Sequence, residues 1–400
     1  MHYRNFLAPY AARTLLICLF LLAGLLAGGR AGAREADGLG TVFASYPELA
    51  AAVRQRLDGK AAPTPTVDAL ARALTAGRAD PRTRALALAD WVRTHIRHAN
   101  AGLRLDGAAP RPATEVLAQR AGNGEEMVVL LQALLASVRI DSTAALVRRG
   151  ANDALPEAAL GAAFDHLLVY LPGLDLYLDP GADAIAAGYL PPSLLGKPVL
   201  LLASGRFAMT PMTQPQSVRA RATVDIRRDG SGTVKLDRIY AGALAEPARK
   251  AAGLPGGGGD EFRMSQSAAS AHVLALPGAR ALATTYPSLS TVANAMAGMP
   301  WESTRSRAVA CPAVDAEDET RYRLPKGVRI LALPAPVNVI HGGVFYRAAY
   351  ARQGNAVLVK RRLTFRNGRP TCTPAEVRAL QPALARIARD LRSLITIAGH

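Results

Sequence analysis

Cysteine is almost missing from this chain, which holds three in 400 residues. Cys18 lies in an N-terminal apolar run, after Ile17 and before further apolar residues, and these surroundings do not make a lipoprotein site. Beyond that run only Cys311 and Cys372 remain, so a disulfide has a single connectivity open to it. Lysine is also scarce, at six positions, and the positive charge is nearly all arginine. No block of five or six like charges occurs, which removes the usual sign of a charged interaction tail. No internal repeat is present. Ser204-Gly205 and the run Gly256 to Gly259 match neither a nucleophile elbow nor a phosphate loop, and they read as turns. Between Glu115 and Ala136 there is no Ser, Thr or Cys, so that stretch lacks any side-chain nucleophile of the hydroxyl or thiol kind.

What is there begins with a targeting segment. Arg4 and Arg13 form a basic leader, Thr14 to Gly28 is apolar, and Ala31-Gly32-Ala33 supplies a small-x-small cleavage site. Residues 1–33 are expected to be a signal peptide and the product periplasmic. The apolar run falls short of the roughly 20 residues of a membrane span, so an uncleaved inner-membrane anchor through residues 14–28 is the lesser alternative. An oxidising compartment suits Cys311 and Cys372, and a disulfide between them is expected over two buried free thiols. In the chain-entropy model so long a loop contributes up to about 4 kcal/mol. The formal charge is +17, and loss of Arg4, Arg13 and Arg30 with the leader leaves +14. Scattered arginine reads first as compositional bias and second as attraction to an anionic envelope surface. The expected partners are a protein or an envelope glycan or lipid, with nucleic acid excluded by export, membrane contact only through an uncleaved leader, and no cofactor.

Residues 34–44 read as a linker. From Tyr46 the apolar positions Leu49, Val53 and Leu57 keep helical spacing until Pro63 and Pro65. Val67 to Leu74 predicts a second helix. Asp80-Pro81 caps a third, which carries Leu88, Trp91, Val92 and His95. A loop from Asn100 to Pro112 leads to a short helix, Thr114 to Gln119, and the next helix opens at Gly124. Thr143 to Val147, His166 to Leu171 and Asp175 to Leu178 predict strands packed on it. Further on, Ala222 to Ile226 and Thr233 to Ile239 form a hairpin across Asp229 to Gly232, followed by a helix from Leu244 to Ala252 and flexible punctuation at Gly256 to Gly259. Strands are expected around Ser306 to Ala310, Arg321 to Leu324, Val344 to Tyr350 and Ala356 to Phe365. Pro374 opens a final helix with Val377, Leu380, Leu384, Ile387, Leu391 and Leu394 on one stripe.

The stretch with chemical content is Arg120-Ala121-Gly122-Asn123-Gly124-Glu125-Glu126, which runs into the apolar segment Met127 to Val138. Phe164-Asp165-His166 and Leu178-Asp179-Pro180 follow in order. Together they resemble the nucleophile, His and Asp motifs of the transglutaminase-like branch of the papain-type cysteine hydrolases, whose first motif reads roughly R-x-G-D-C-K-D. Here Asn123 replaces the Asp, Gly124 replaces the Cys, and Glu125-Glu126 replace the Lys-Asp pair. Ala89-Asp90-Trp91-Val92 with His95-Ile96-Arg97 is similar to that family's W-V-x-x-x-I-R helix. Gly188-Tyr189-Leu190-Pro191 and Gly196-Lys197-Pro198-Val199-Leu200 look like its segment after the Asp. The resemblance covers roughly Tyr46 to Leu202 and points to a bacterial exported group with associated β-rich domains of unknown function. It implies an α+β fold: a degenerate transglutaminase-like (papain-type) core over 45–205, then a β-rich C-terminal domain with a terminal helix over 206–400.

In this chemistry a thiol at a helix N-terminus gives its proton to an imidazole that a carboxylate orients. Gly124 has no atom to attack a carbonyl, and deleting a member of such a unit costs up to about a millionfold in rate. Gly124, His166 and Asp179 are therefore read as degenerate triad positions, with no catalytic residue expected. The expectation is a pseudoenzyme that binds through Trp91, Asn123, Gly124, His166 and Asp179. The alternative is a relocated or metal-assisted hydrolase or acyl-transfer enzyme that uses Glu125 or Glu126 with His166; carboxylates in a first helical turn more often complement the dipole. An active cysteine enzyme would need Cys311 or Cys372 to reach His166. His95 and His98, read as three apart on one helix, have a spacing zinc tolerates but no third ligand, and a structural role is expected.

Overall fold

The computed structural model describes residues 42–398 apart from 100–102, 104, 106, 150–154, 258, 272, 275–277, 279, 300–307 and 312. The expected signal peptide and residues 34–41 of the expected linker lie outside the described residues.

Helices α1 (Tyr46–Leu57), α2 (Pro65–Thr75) and α3 (Pro81–His95) each begin with proline in the first turn, where no N–H is needed. Asp80 caps α3, accepting the N–H of Thr83 at 2.8 Å. A short helix, α4 (Ala113–Gln119), precedes α5 (Gly124–Ser137). Helix α5 is apolar nearly all round, and Met127 to Leu131 are fully buried. Such a helix is stable only inside a protein, and α2, α3 and α4 pack around it.

Strands β1 (Thr143–Val147), β2 (His166–Leu171), β3 (Leu176–Leu178), β4 (Pro198–Leu201) and β5 (Phe207–Met209) form an antiparallel sheet in the order β3-β2-β1-β4-β5. Every residue of β1 is buried. Its Ala144 and Leu146 face the helical core, while Ala145 and Val147 face a second cluster with Leu168, Tyr177 and Leu194.

The second half is built on seven strands: β6 (Gln216–Ile226), β7 (Gly232–Gly242), β8 (Glu261–Ser270), β9 (Val314–Arg323), β10 (Val337–His341), β11 (Val344–Gln353) and β12 (Ala356–Phe365). Their order is β8-β7-β6-β9-β12-β11-β10, with β6 and β9 the parallel neighbours. Between β7 and β8 lies α6 (Ala245–Ala251). Helices α7 (Thr291–Ala297) and α8 (Pro374–Leu391) cover one face. The other face carries an alternating charge lattice in which Glu317 lies between Arg219 and Arg362 across neighbouring strands. A third sheet joins Ala281–Ala283, Leu394–Ala398 and Arg329–Ala332. Cys311 and Cys372 are disulfide-bonded, with Cα atoms 5.4 Å apart. Arg93 of α3 reaches across to Glu246 of α6 at 3.1 Å, and neither side chain is more than 2% exposed.

Several boundaries differ from the sequence reading. Phe207–Met209 pairs with β4, so the first sheet runs past residue 205 and the second begins at Gln216. Val42–Phe43 is a strand bonded to Ala159–Leu160, so the expected linker ends inside the fold. Helix α8 stops at Leu391, and Leu394, itself exposed, opens the central strand of the third sheet instead of extending the stripe. Of the strand expected at Ser306 to Ala310, Val309–Ala310 is present and residues 306–307 lie outside the described set. Gly256-Gly257 is not loose punctuation: Gly257 donates its N–H to Glu246 at 3.2 Å.

Candidate functional site

Helix α4 ends on Arg120 in the left-handed region, φ 50°. The chain then turns through Ala121–Gly122, which pairs in parallel with Arg97–His98, and enters α5. Asn123 and Glu126 form a reciprocal cap: Asn123 Oδ1 accepts the Glu126 N–H at 3.0 Å, and Glu126 Oε2 accepts the Asn123 N–H at 2.9 Å. A Cβ on Gly122 would meet Glu126 Cβ and Val116 Cγ1 at 3.1 Å, so any side chain here is crowded. At Gly124 the reverse holds. A Cβ there would meet nothing within 4 Å, and its φ is not in the left-handed region.

Opposite Gly124, at the start of β2, His166 Nε2 lies 2.9 Å from Asp179 Oδ2. Asp179 follows β3, and its Oδ1 accepts the Gly181 N–H at 3.0 Å. His166 Nδ1 makes no hydrogen bond among the described residues. Asn123, Gly124, Glu125, His98, Arg149 and His166 line a cleft of about 30 Å³, enough for water and little more.

Glu125 and Glu126 point to different partners. Glu125 pairs with Arg56 at 3.1 Å, and Glu126 takes Arg111 in a two-pronged contact at 2.6 and 2.8 Å. The Arg111 hydrogen bond, joined by the Asn123 N–H, holds the Glu126 carboxyl below the usual carboxylate range despite its burial. Both carboxylates are thus used within the protein, and among the described residues no three His, Cys, Asp or Glu side chains converge as a ligand set.

The remaining candidates separate. Trp91 does not line the cleft; it stacks on His95 with centroids 5.0 Å apart and lies under the Arg120 guanidinium at 4.7 Å. His95 ends α3, whereas His98 sits on the short strand beyond it, so the two are not on one helix. His98 instead enters the cleft beside His166, a placement the sequence reading missed. Two-residue strands leave no periodicity to read, and the Arg97–His98 pairing is one of them. Cys311 and Cys372 are buried together beneath α8 in the second half and carry no free thiol toward His166.

No family model and no curated protein matches the chain. Among solved structures, a candidate protease from Parabacteroides distasonis ATCC 8503 superposes with a TM-score of 0.58 at 16% identity, over 89% of this chain. The chain spans 59% of that protein's length. A candidate cysteine protease from Cytophaga hutchinsonii gives a TM-score of 0.24 at 14% identity, over 32% of this chain and 42% of its own. The mixed α and β fold with a β-rich C-terminal half is therefore similar to that of a candidate protease. Among the described residues no helix is long and apolar enough to cross a membrane.

Proposed function

We propose that this is an exported pseudoenzyme of the transglutaminase-like, papain-type cysteine-hydrolase fold, acting by binding a protein or a cell-envelope component. One observation carries the reading: His166 and Asp179 keep a 2.9 Å contact opposite a helix start where Gly124 leaves room for a side chain but supplies no nucleophile. A papain-type mechanism needs a sulfur at that point to give its proton to the imidazole and attack a carbonyl. The basic leader, the apolar run and the Cys311–Cys372 disulfide support export. The likeness to a candidate protease supports the hydrolase ancestry of the fold and says nothing of retained activity.

Gly124→Cys tests the reading. The rate of alkylation of the new thiol, followed against pH, is expected to give a thiol pKa well below the ordinary ~8.5. An ordinary or raised value would mean that the helix start and His166 no longer act together, and the reading fails. Peptidase or acyl-transfer turnover by the unaltered protein would overturn it from the other side.

A further inference from the structure

The wall of the degenerate centre has two sides. His98 lines the cleft at Gly124 and also a larger cavity, about 520 Å³, between α3, the turn at 181–183 and α6. Gly181 belongs to the same wall: a Cβ there would lie 3.5 Å from Asp179 Oδ1 and 3.6 Å from His98 Nε2. A ligand in the larger cavity therefore sits one side chain away from the His166–Asp179 pair.

That cavity is lined by Arg93, Arg97, His98 and Lys250 against one acid, Asp183. Lys250 is used internally, bonding the Asp183 carbonyl and lying 3.8 Å from its carboxylate. Arg93 is paired through its terminal nitrogens with Asp90 and Glu246, yet its buried Nε is a donor without a partner. The Arg97 side chain makes no ion pair or hydrogen bond with any described residue. The Arg97 guanidinium unpaired among the described residues, an imidazole and a cavity of ligand size, with the Arg93 and Lys250 charges behind them, form a chemistry suited to a planar or tetrahedral anion.

We infer that this cavity is an oxyanion-binding site, taking a carboxylate or phosphate group of the ligand, with Arg97 as its principal contact. The inference rests on the reading that the protein acts by binding. Calorimetric titration of the intact oxidised protein at constant ionic strength tests it, with inorganic phosphate and succinate as separate probes and succinamide as the neutral control. Saturable binding of at least one anion and none of succinamide is expected. Phosphate alone would identify a phosphate-bearing ligand, and succinate alone a carboxylate-bearing one. Arg97→Ala should weaken binding by about tenfold or more, and Arg97→Gln should do the same while keeping much of the side chain's bulk. Arg347→Ala, which removes an equal charge from the open sheet face, should change it by less than about twofold. Absence of saturable binding, binding untouched by both Arg97 variants, or equal losses in the Arg97 and Arg347 variants would each overturn the site. A depressed Gly124→Cys thiol pKa without anion binding removes this inference alone. Anion binding beside an ordinary thiol pKa removes the reading of the degenerate centre and leaves the anion site.

Discussion

Adding a Cβ at Gly122 brings it to 3.1 Å from two packed carbons, whereas the same atom at Gly124 meets open space. Gly122→Ala is therefore expected to destabilise the protein by about 1–3 kcal/mol through overpacking at the foot of α5. Gly124→Ala should be neutral or stabilising by up to about 1 kcal/mol, since alanine narrows the unfolded ensemble and fits the helical backbone. Denaturant unfolding of the two variants checks both signs. Nothing in the sequence separates the crowded glycine from the open one; the coordinates do. The chemistry at this scale was more accessible. His166 and Asp179, named with Gly124 on the strength of a resemblance, lie in contact across a cleft from it. Trp91 was misplaced because a helix position fixes the face a side chain takes only when its neighbours are known; here Arg120 and His95 enclose it.

Among the elements, α5 depends on a cap that is itself ionised. Glu126 closes the Asn123 cap and binds Arg111, and its folded carboxyl lies below the ordinary value of 4.5. Being depressed on folding, it adds stability that is complete above pH 4.5 and is lost as pH falls through the folded value. Stability measured against pH should show this loss on the acid side of 4.5, and Glu126→Gln should flatten that part of the curve. Asn123→Ala should cost about 1 kcal/mol at neutral pH. The long periodic elements, α1, α3, α5 and α8, were readable because apolar spacing and capping residues agree along each. Helix α7 was not. It has seven residues, and its start is held from outside by Asp318 of β9, which accepts the Thr291 N–H at 2.8 Å and the Val292 N–H at 3.2 Å. Strand β8 escaped for a related reason: Ser and Ala fill much of it, and its partner β7 supplies the order.

At the scale of the molecule, a buried ion pair between Arg93 and Glu246 joins the two halves. Burial alone would raise the Glu246 carboxyl, but Arg93, from the other half, and Arg249 hold it below the usual range. Glu246→Gln removes the buried carboxylate shared by Arg93 and Arg249, leaving Arg93 with Asp90, and should cost about 3–5 kcal/mol. Calorimetry should then resolve two unfolding transitions where the unaltered protein shows one. Reduction of Cys311–Cys372, which closes a separation of 61 residues, should lower the stability of the C-terminal half by up to about 4 kcal/mol. Limited proteolysis after reduction is expected to reach β9 to β12 before it reaches α5. The Arg93–Glu246 connection was not visible in the chain, because the two are 153 residues apart and each looks like an ordinary surface charge on a helix.

The open space beside Gly124 has a genetic corollary. Glycine and cysteine codons of the GGY and TGY type differ in a single base, so the thiol lies one transversion from such a gene. A Cβ at that position meets nothing within 4 Å, so the first atom of the new side chain sets no structural barrier to that step. Any mutagenised population of useful size will then contain the sulfur-bearing form, and covalent capture by a thiol-reactive probe should retrieve it directly.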